Sequence, residues 1–171
     1  MSKPTLFIDN VSIAKKNELL QGDFTLEAFP RLLELLSNSG QFLKPSGSVS
    51  YKLQGETNRL GQQILHLNIN ANLATACQRC LNEMPLSLNL NFKYLIGDVS
   101  DNEFEVIDVD NSDDFDLQQA SQTMDVIALI EDEIIIAIPI SPMHEDTCKE
   151  LVTQSGEKTN PFAVLKRLIK S

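Results

Sequence analysis

The sequence predicts an α+β fold: an antiparallel sheet built on a long hairpin, packed against an N-terminal helix, a central apolar helix and a short C-terminal helix. Two runs of strict alternation predict the sheet. Leu65, Leu67, Ile69, Ala71 and Leu73 oppose His66, Asn68, Asn70 and Asn72, and Leu86, Leu88, Leu90 and Phe92 oppose Ser87, Asn89, Asn91 and Lys93. A period of two with one apolar face is the signature of half-buried antiparallel strands. The densest apolar segment, DVIALIEDEIIIAIPISPMH over 125–144, predicts the central helix. At about 3.6 residues per turn, Ile127, Ile130, Ile134, Ala137 and Ile138 share one stripe. A chain of 171 residues suits one ordinary core, so a single domain over 1–171 is expected.

Taken in order, the first twenty residues offer a short extended piece, Leu6 to Ile8, and little else. Thr25 is a plausible N-cap for a helix over about 25–37 that carries Leu26, Phe29, Leu32, Leu33 and Leu36, with Pro30 in its early turns and a stop at Ser37 to Gly40. Val49, Tyr51 and Leu53 then alternate as a strand, and a turn between Gly55 and Gly61 leads into the long hairpin. Its tip is Cys77-Gln78-Arg79-Cys80. Phe104, Val106 and Val109 suggest one more strand within an acidic loop region of about 98–118.

The central helix should end at Pro139, which lacks an N–H and disfavours helical geometry at Ile138. The β-branched run Ile134 to Ile136 would also suit a buried strand. Glu131 falls within the apolar stripe, where an unpaired carboxylate is costly. It is expected to find a cationic or hydrogen-bonding partner, the alternative being a rim position in water. Arg79 is a candidate partner for Glu131 or Glu133, tying the hairpin tip to this helix. In the tail of about 145–171, Asn160 caps and Pro161 opens a short basic helix that docks through Phe162, Leu165 and Ile169.

The formal charge of −10 is unevenly spread. No Lys or Arg lies between Tyr94 and Cys148, whereas fifteen Asp and Glu do; the remaining nine acids against all 14 bases leave a frame of +5. The acidic stretch reads as a solvated loop, or as a surface for a basic partner such as a ribosomal protein. No apolar run reaches the ~20 residues of a membrane helix and MSKPTLFIDN has no secretory segment, so a cytoplasmic protein without a membrane partner is expected. Three cysteines, an odd number, argue for reduced thiols rather than a disulfide framework.

Cys77, Cys80, His144 and Cys148 are all acceptable zinc ligands, paired at chelating spacings. Free thiols without a cofactor, a bound zinc ion and a redox pair all remain open from the residues; redox chemistry is least favoured, because the Cys pair does not open a helix. His66 lies on a polar strand face and reads as a surface residue. No phosphate-cradling glycine loop and no nucleophile–base pairing is recognisable, which points to a binding or assembly protein rather than an enzyme.

Three strings in this order, CQRC at Cys77 to Cys80, EDEIIIAIPISPMH at Glu131 to His144 and NPFAVL at Asn160 to Leu165, resemble the bacterial YceD family of large ribosomal RNA subunit accumulation proteins. The resemblance implies a non-enzymatic role in synthesis, processing or stability of large-subunit ribosomal RNA, with the RNA or its precursor particle as partner. Many members of the wider family carry further cysteines after the position of Cys148, where this chain has Lys149 to Val152. A charge of −10 does not suit broad phosphate neutralisation, so direct RNA contacts are expected only from the basic frame, for example Arg79, Lys93, Lys166, Arg167 and Lys170.

Overall fold

The computed structural model of the chain describes residues 6–38, 46–97, 115–144 and 148. Its elements run β1 (Phe7–Ile8), α1 (Asn10–Lys16), β2 (Leu19–Thr25), a 3-10 turn (Leu26–Ala28), α2 (Pro30–Asn38), β3 (Gly47–Thr57), β4 (Gln63–Ala76), β5 (Glu83–Gly97), β6 (Asp116–Gln119), β7 (Met124–Asp125) and α3 (Val126–Ala137). The α+β class is as expected. A five-stranded sheet has the order β2-β3-β4-β5-β6, and β1 pairs with β7 in a separate two-stranded ladder.

The alternating runs pair as their apolar faces require. Leu67 lies opposite Phe92, Ile69 opposite Leu90, Ala71 opposite Leu88 and Leu73 opposite Leu86, so one face of the β4–β5 hairpin is apolar throughout. A one-residue slip would turn every one of these side chains to the other face. Leu65, Leu67 and Ile69 are fully buried beneath the helices, together with Leu32 of α2 and Ile130 and Ile134 of α3. Asn70, Asn72, Asn89 and Asn91 face outward and are exposed. The fifth strand departs from the antiparallel pattern: β6 runs parallel to β5, with Tyr94 opposite Asp116. Such a pair needs a crossover connection rather than a tight turn.

The helix expected over 25–37 is shorter. Thr25 ends β2 and its side chain makes no capping bond. Pro30 is the reason: inside a helix its ring would clash with the carbonyl four residues earlier, so Leu26–Ala28 forms a separate 3-10 turn and α2 starts at Pro30. The first twenty residues hold more structure than the one extended piece expected of them. Asp9 caps α1 by accepting from the Ser12 N–H at 2.9 Å, and Asn17, with φ of 52°, closes it in the left-handed region.

The Asp125–Ile138 stretch is helical, not a strand. Asp125 is the N-cap, accepting from Ile127 N at 3.0 Å and Ala128 N at 3.2 Å, and the helix stops before Pro139. The strand suggested by Phe104, Val106 and Val109, most of the acidic loop, and the C-terminal helix of Asn160, Pro161 and Phe162 lie outside the described residues.

Candidate metal centre

Three tethers hold α3, two to α2 and one to the sheet, and so aim the chain that follows it. The first is Glu131, which is 1% exposed and does not reach water at a rim. Its Oε1 accepts from the backbone N–H groups of Arg31 (2.6 Å) and Leu32 (3.1 Å), and its Oε2 from Arg31 Nε (2.9 Å). The second is Asp132, which takes the other side of the same guanidinium at 2.6 Å. The hydrogen bonds that Arg31 donates to Asp132 first and then to Glu131 raise its pKa above the ordinary value. The third is Tyr94 of β5, whose hydroxyl donates to Glu133 Oε1 at 2.7 Å.

Arg79 therefore does not pair with Glu131 or Glu133. Arg31 and Tyr94 occupy those carboxylates, and Arg79 at the hairpin tip instead directs Nη2 at Met143 Sδ, 3.8 Å away. No sequence spacing connects Arg31 to Glu131, which lie one hundred residues apart. The one available signal was Pro30, which marks a helix start without a capping side chain before it.

Beyond α3 the chain passes Pro139 and meets the tip of the β4–β5 hairpin. Gln78 N donates to Pro142 O at 2.8 Å, and Pro142 is buried. The tip itself is a tight reversal in which Cys77 N donates to Asn82 O (2.9 Å) and Leu81 N to Cys77 O (2.8 Å). Leu81 sits at φ of 59°, a left-handed conformation that costs a residue with a side chain about 1–2 kcal/mol. This reversal turns Cys77 and Cys80 toward the segment after α3.

There the four residues singled out in the sequence converge. Cys77, Cys80, His144 and Cys148 each bring one ligand atom, and all four atoms lie within 4.8 Å of one another. Cys77 Sγ is 3.2 Å from Cys148 Sγ; His144 Nδ1 is 3.5 Å from Cys80 Sγ and 3.4 Å from Cys148 Sγ. Cys77 is buried and the other three are half-buried. Burial pushes the Cys77 thiol up, but N–H groups of Cys80, His144 and Arg79 and the Cys148 thiol outweigh it and hold it down to about 5. Cys148 is pushed up to about 11, first by its hydrogen bond with Cys77, then by burial and by Cys80.

The remaining expected positions are dispersed. Arg79 is exposed at the tip, while Lys93 lies at the far end of β5 with its Nζ 5.7 Å from the Phe115 ring centroid. At about 3.4 Å per strand residue the two are on the order of 30–40 Å apart along the hairpin, so the structure does not bring them together. His66 faces Glu56, Nε2 to Oε2 at 2.8 Å, as a surface pair. Lys166, Arg167 and Lys170 lie outside the described residues.

Against known proteins, the family profile described as large ribosomal RNA subunit accumulation protein YceD matches residues 65–169. A Haemophilus influenzae protein of the same description is 30% identical over 105 residues, covering 54% of this chain and 57% of that relative. The chain thus aligns with little more than half the length of the relative. No solved structure matches. The matched span contains the whole four-residue cluster, most of β4, all of β5 and α3.

Proposed function

The chain belongs to the YceD family of large ribosomal RNA subunit accumulation proteins, and from that membership we propose that it is a cytoplasmic, non-enzymatic factor in the synthesis, processing or stability of large-subunit ribosomal RNA. The observation that carries this reading is the extent of the family match. It runs from inside β4 through the Cys-X-X-Cys tip and α3 to the C-terminal tail, covering the part of the fold where the elements converge.

Electrostatics shape how such a factor engages its target. Nonspecific RNA affinity comes largely from counterion release by Lys and Arg. In a chain at −10 the 14 Lys and Arg are outnumbered by 24 acids, so its RNA contact is local rather than a broad basic face. Arg79, presented on the exposed hairpin tip, is the described residue best placed for it, with the basic tail residues Lys166, Arg167 and Lys170 as further candidates. A precursor particle offers RNA and protein surfaces together and suits a ligand of this charge better than naked RNA.

Depleting the protein in its own host and measuring the ratio of large- to small-subunit ribosomal RNA tests the proposal. The ratio should fall and be restored by re-expression of this chain. An unchanged ratio contradicts it.

A further inference from the structure

We propose that Cys77, Cys80, His144 and Cys148 bind one Zn²⁺ ion in a closed tetrahedral site, and that the ion is a structural clamp fastening the chain after α3 to the tip of the β4–β5 hairpin. The inference is independent of the proposed role in RNA accumulation.

The interatomic distances carry it. With Zn–S near 2.3 Å and Zn–N near 2.0–2.1 Å, tetrahedral angles separate two sulfurs by about 3.8 Å and a sulfur from a nitrogen by about 3.5 Å. The two sulfur–nitrogen distances here are 3.5 and 3.4 Å, and no pair among the four atoms exceeds 4.8 Å. Cys77 and Cys148, at 3.2 Å, must part by roughly half an ångström to admit the ion. Four protein donors leave no open position, which fits a structural rather than a catalytic site. Three thiolates and an imidazole are soft and borderline ligands, suited to Zn²⁺ and unsuited to Mg²⁺, Ca²⁺ or Mn²⁺.

Two features of the backbone agree. Arg79 N donates to Cys77 Sγ at 3.4 Å, the kind of outer-shell bond that steadies a metal thiolate. Leu81 holds a left-handed φ immediately after Cys80, the reversal that sets both tip cysteines on one side. Among the described residues, the direct polar ties between the tip and residues 139–144 are modest: Gln78 N to Pro142 O, Arg79 to Met143 Sδ, and the Cys80–His144 approach itself. A metal bridging all four ligands would be the strongest tie between the two segments.

The test uses the full chain purified without a histidine tag under reducing conditions. Metal content should be one zinc per chain after gel filtration. Co²⁺ added to the chelated protein should give the intense visible bands of a tetrahedral thiolate site, and Zn²⁺ should bleach them. Cys80→Ser and His144→Ala should each weaken Zn²⁺ affinity by at least the tenfold that loss of an outer-shell partner alone costs, whereas His66→Ala should leave it unchanged. Should either ligand variant fail to fold, the Co²⁺ spectrum of the wild type decides. A pale octahedral Co²⁺ spectrum, three freely titrating thiols in the presence of Zn²⁺, a Cys77–Cys148 disulfide in place of metal, or an equal loss in the His66 variant would each overturn the proposal.

Discussion

Glu131 of α3 caps helix α2 from one hundred residues away. Its Oε1 receives the Arg31 and Leu32 N–H groups of the first turn of α2, the donors that a helix leaves unpaired at its N-terminus. Phe29, which precedes Pro30, has no side chain that could do this. A carboxylate at that end also meets the positive pole of the helix dipole, and Arg31 Nε completes its coordination. A buried acid in an apolar stripe is thereby the joint between two helices on the covered face of the sheet.

The two partners should differ sharply in importance. Glu131→Ala strands two backbone donors and should cost about 3–5 kcal/mol. Arg31→Ala removes a side chain that is 49% exposed and leaves both backbone bonds to Glu131 in place, so about 1–2 kcal/mol is expected. Urea denaturation of the two variants checks this; equal losses would show that the ion pair, not the cap, is the joint.

Tyr94 links stability to alkaline pH. Burial first, then its hydrogen bond to Glu133, raises its pKa above the ordinary 10.0. Because the folded state holds a proton that the unfolded state gives up, this contribution is complete below about pH 10 and is lost as pH rises from there toward the folded pKa. Burial raises Tyr51 in the same direction. Thermal melts between pH 8 and 11 should show falling stability at the alkaline end. Tyr94→Phe should cost about 1 kcal/mol at neutral pH and flatten part of that fall, leaving the share due to Tyr51.

Gly55 is where α1 meets the sheet. A Cβ there would stand 2.3 Å from Ile13 O and 2.7 Å from Ala14 Cα, both backbone atoms. Gly55→Ala must therefore push α1 off β3, at about 2–3 kcal/mol. A melting temperature within a degree or two of wild type would mean that α1 moves freely.

The elements that were legible in the sequence are those whose pattern is long and local. Alternation over 65–73 and 86–93 marked the cores of the 14-residue β4 and the 15-residue β5, and an apolar run closed by Pro139 favoured α3 over a buried strand. The short elements were not legible. Helix α1 has seven residues, and β2 is an edge strand whose inward positions, Leu20, Gly22 and Phe24, include a glycine that breaks the apolar pattern. Pairings across long separations were equally hidden: the need of Glu131 for a partner could be read, but its identity depended on α2 meeting α3. The four members of the Cys/His cluster were visible by residue type and spacing, whereas their convergence depended on a turn after Pro139 that no periodicity encodes.

If the RNA contact is local, the salt dependence of association with ribosomal particles should be shallow. Arg79→Glu should weaken association, and reversing Lys166, Arg167 and Lys170 together should weaken it further, each lost phosphate contact reducing the salt slope by about one unit. Unaltered association in both would remove these residues from the interface. Association that instead disappears on neutralising the acids between Asp98 and Asp116 would mean a basic ribosomal protein is the partner.

The most direct measurement is the sedimentation of the protein in a gradient of cell lysate, at low and at physiological salt, with and without ribonuclease. The account predicts co-migration with large-subunit precursors that is abolished by ribonuclease. Sedimentation as a small free species under every condition would contradict it.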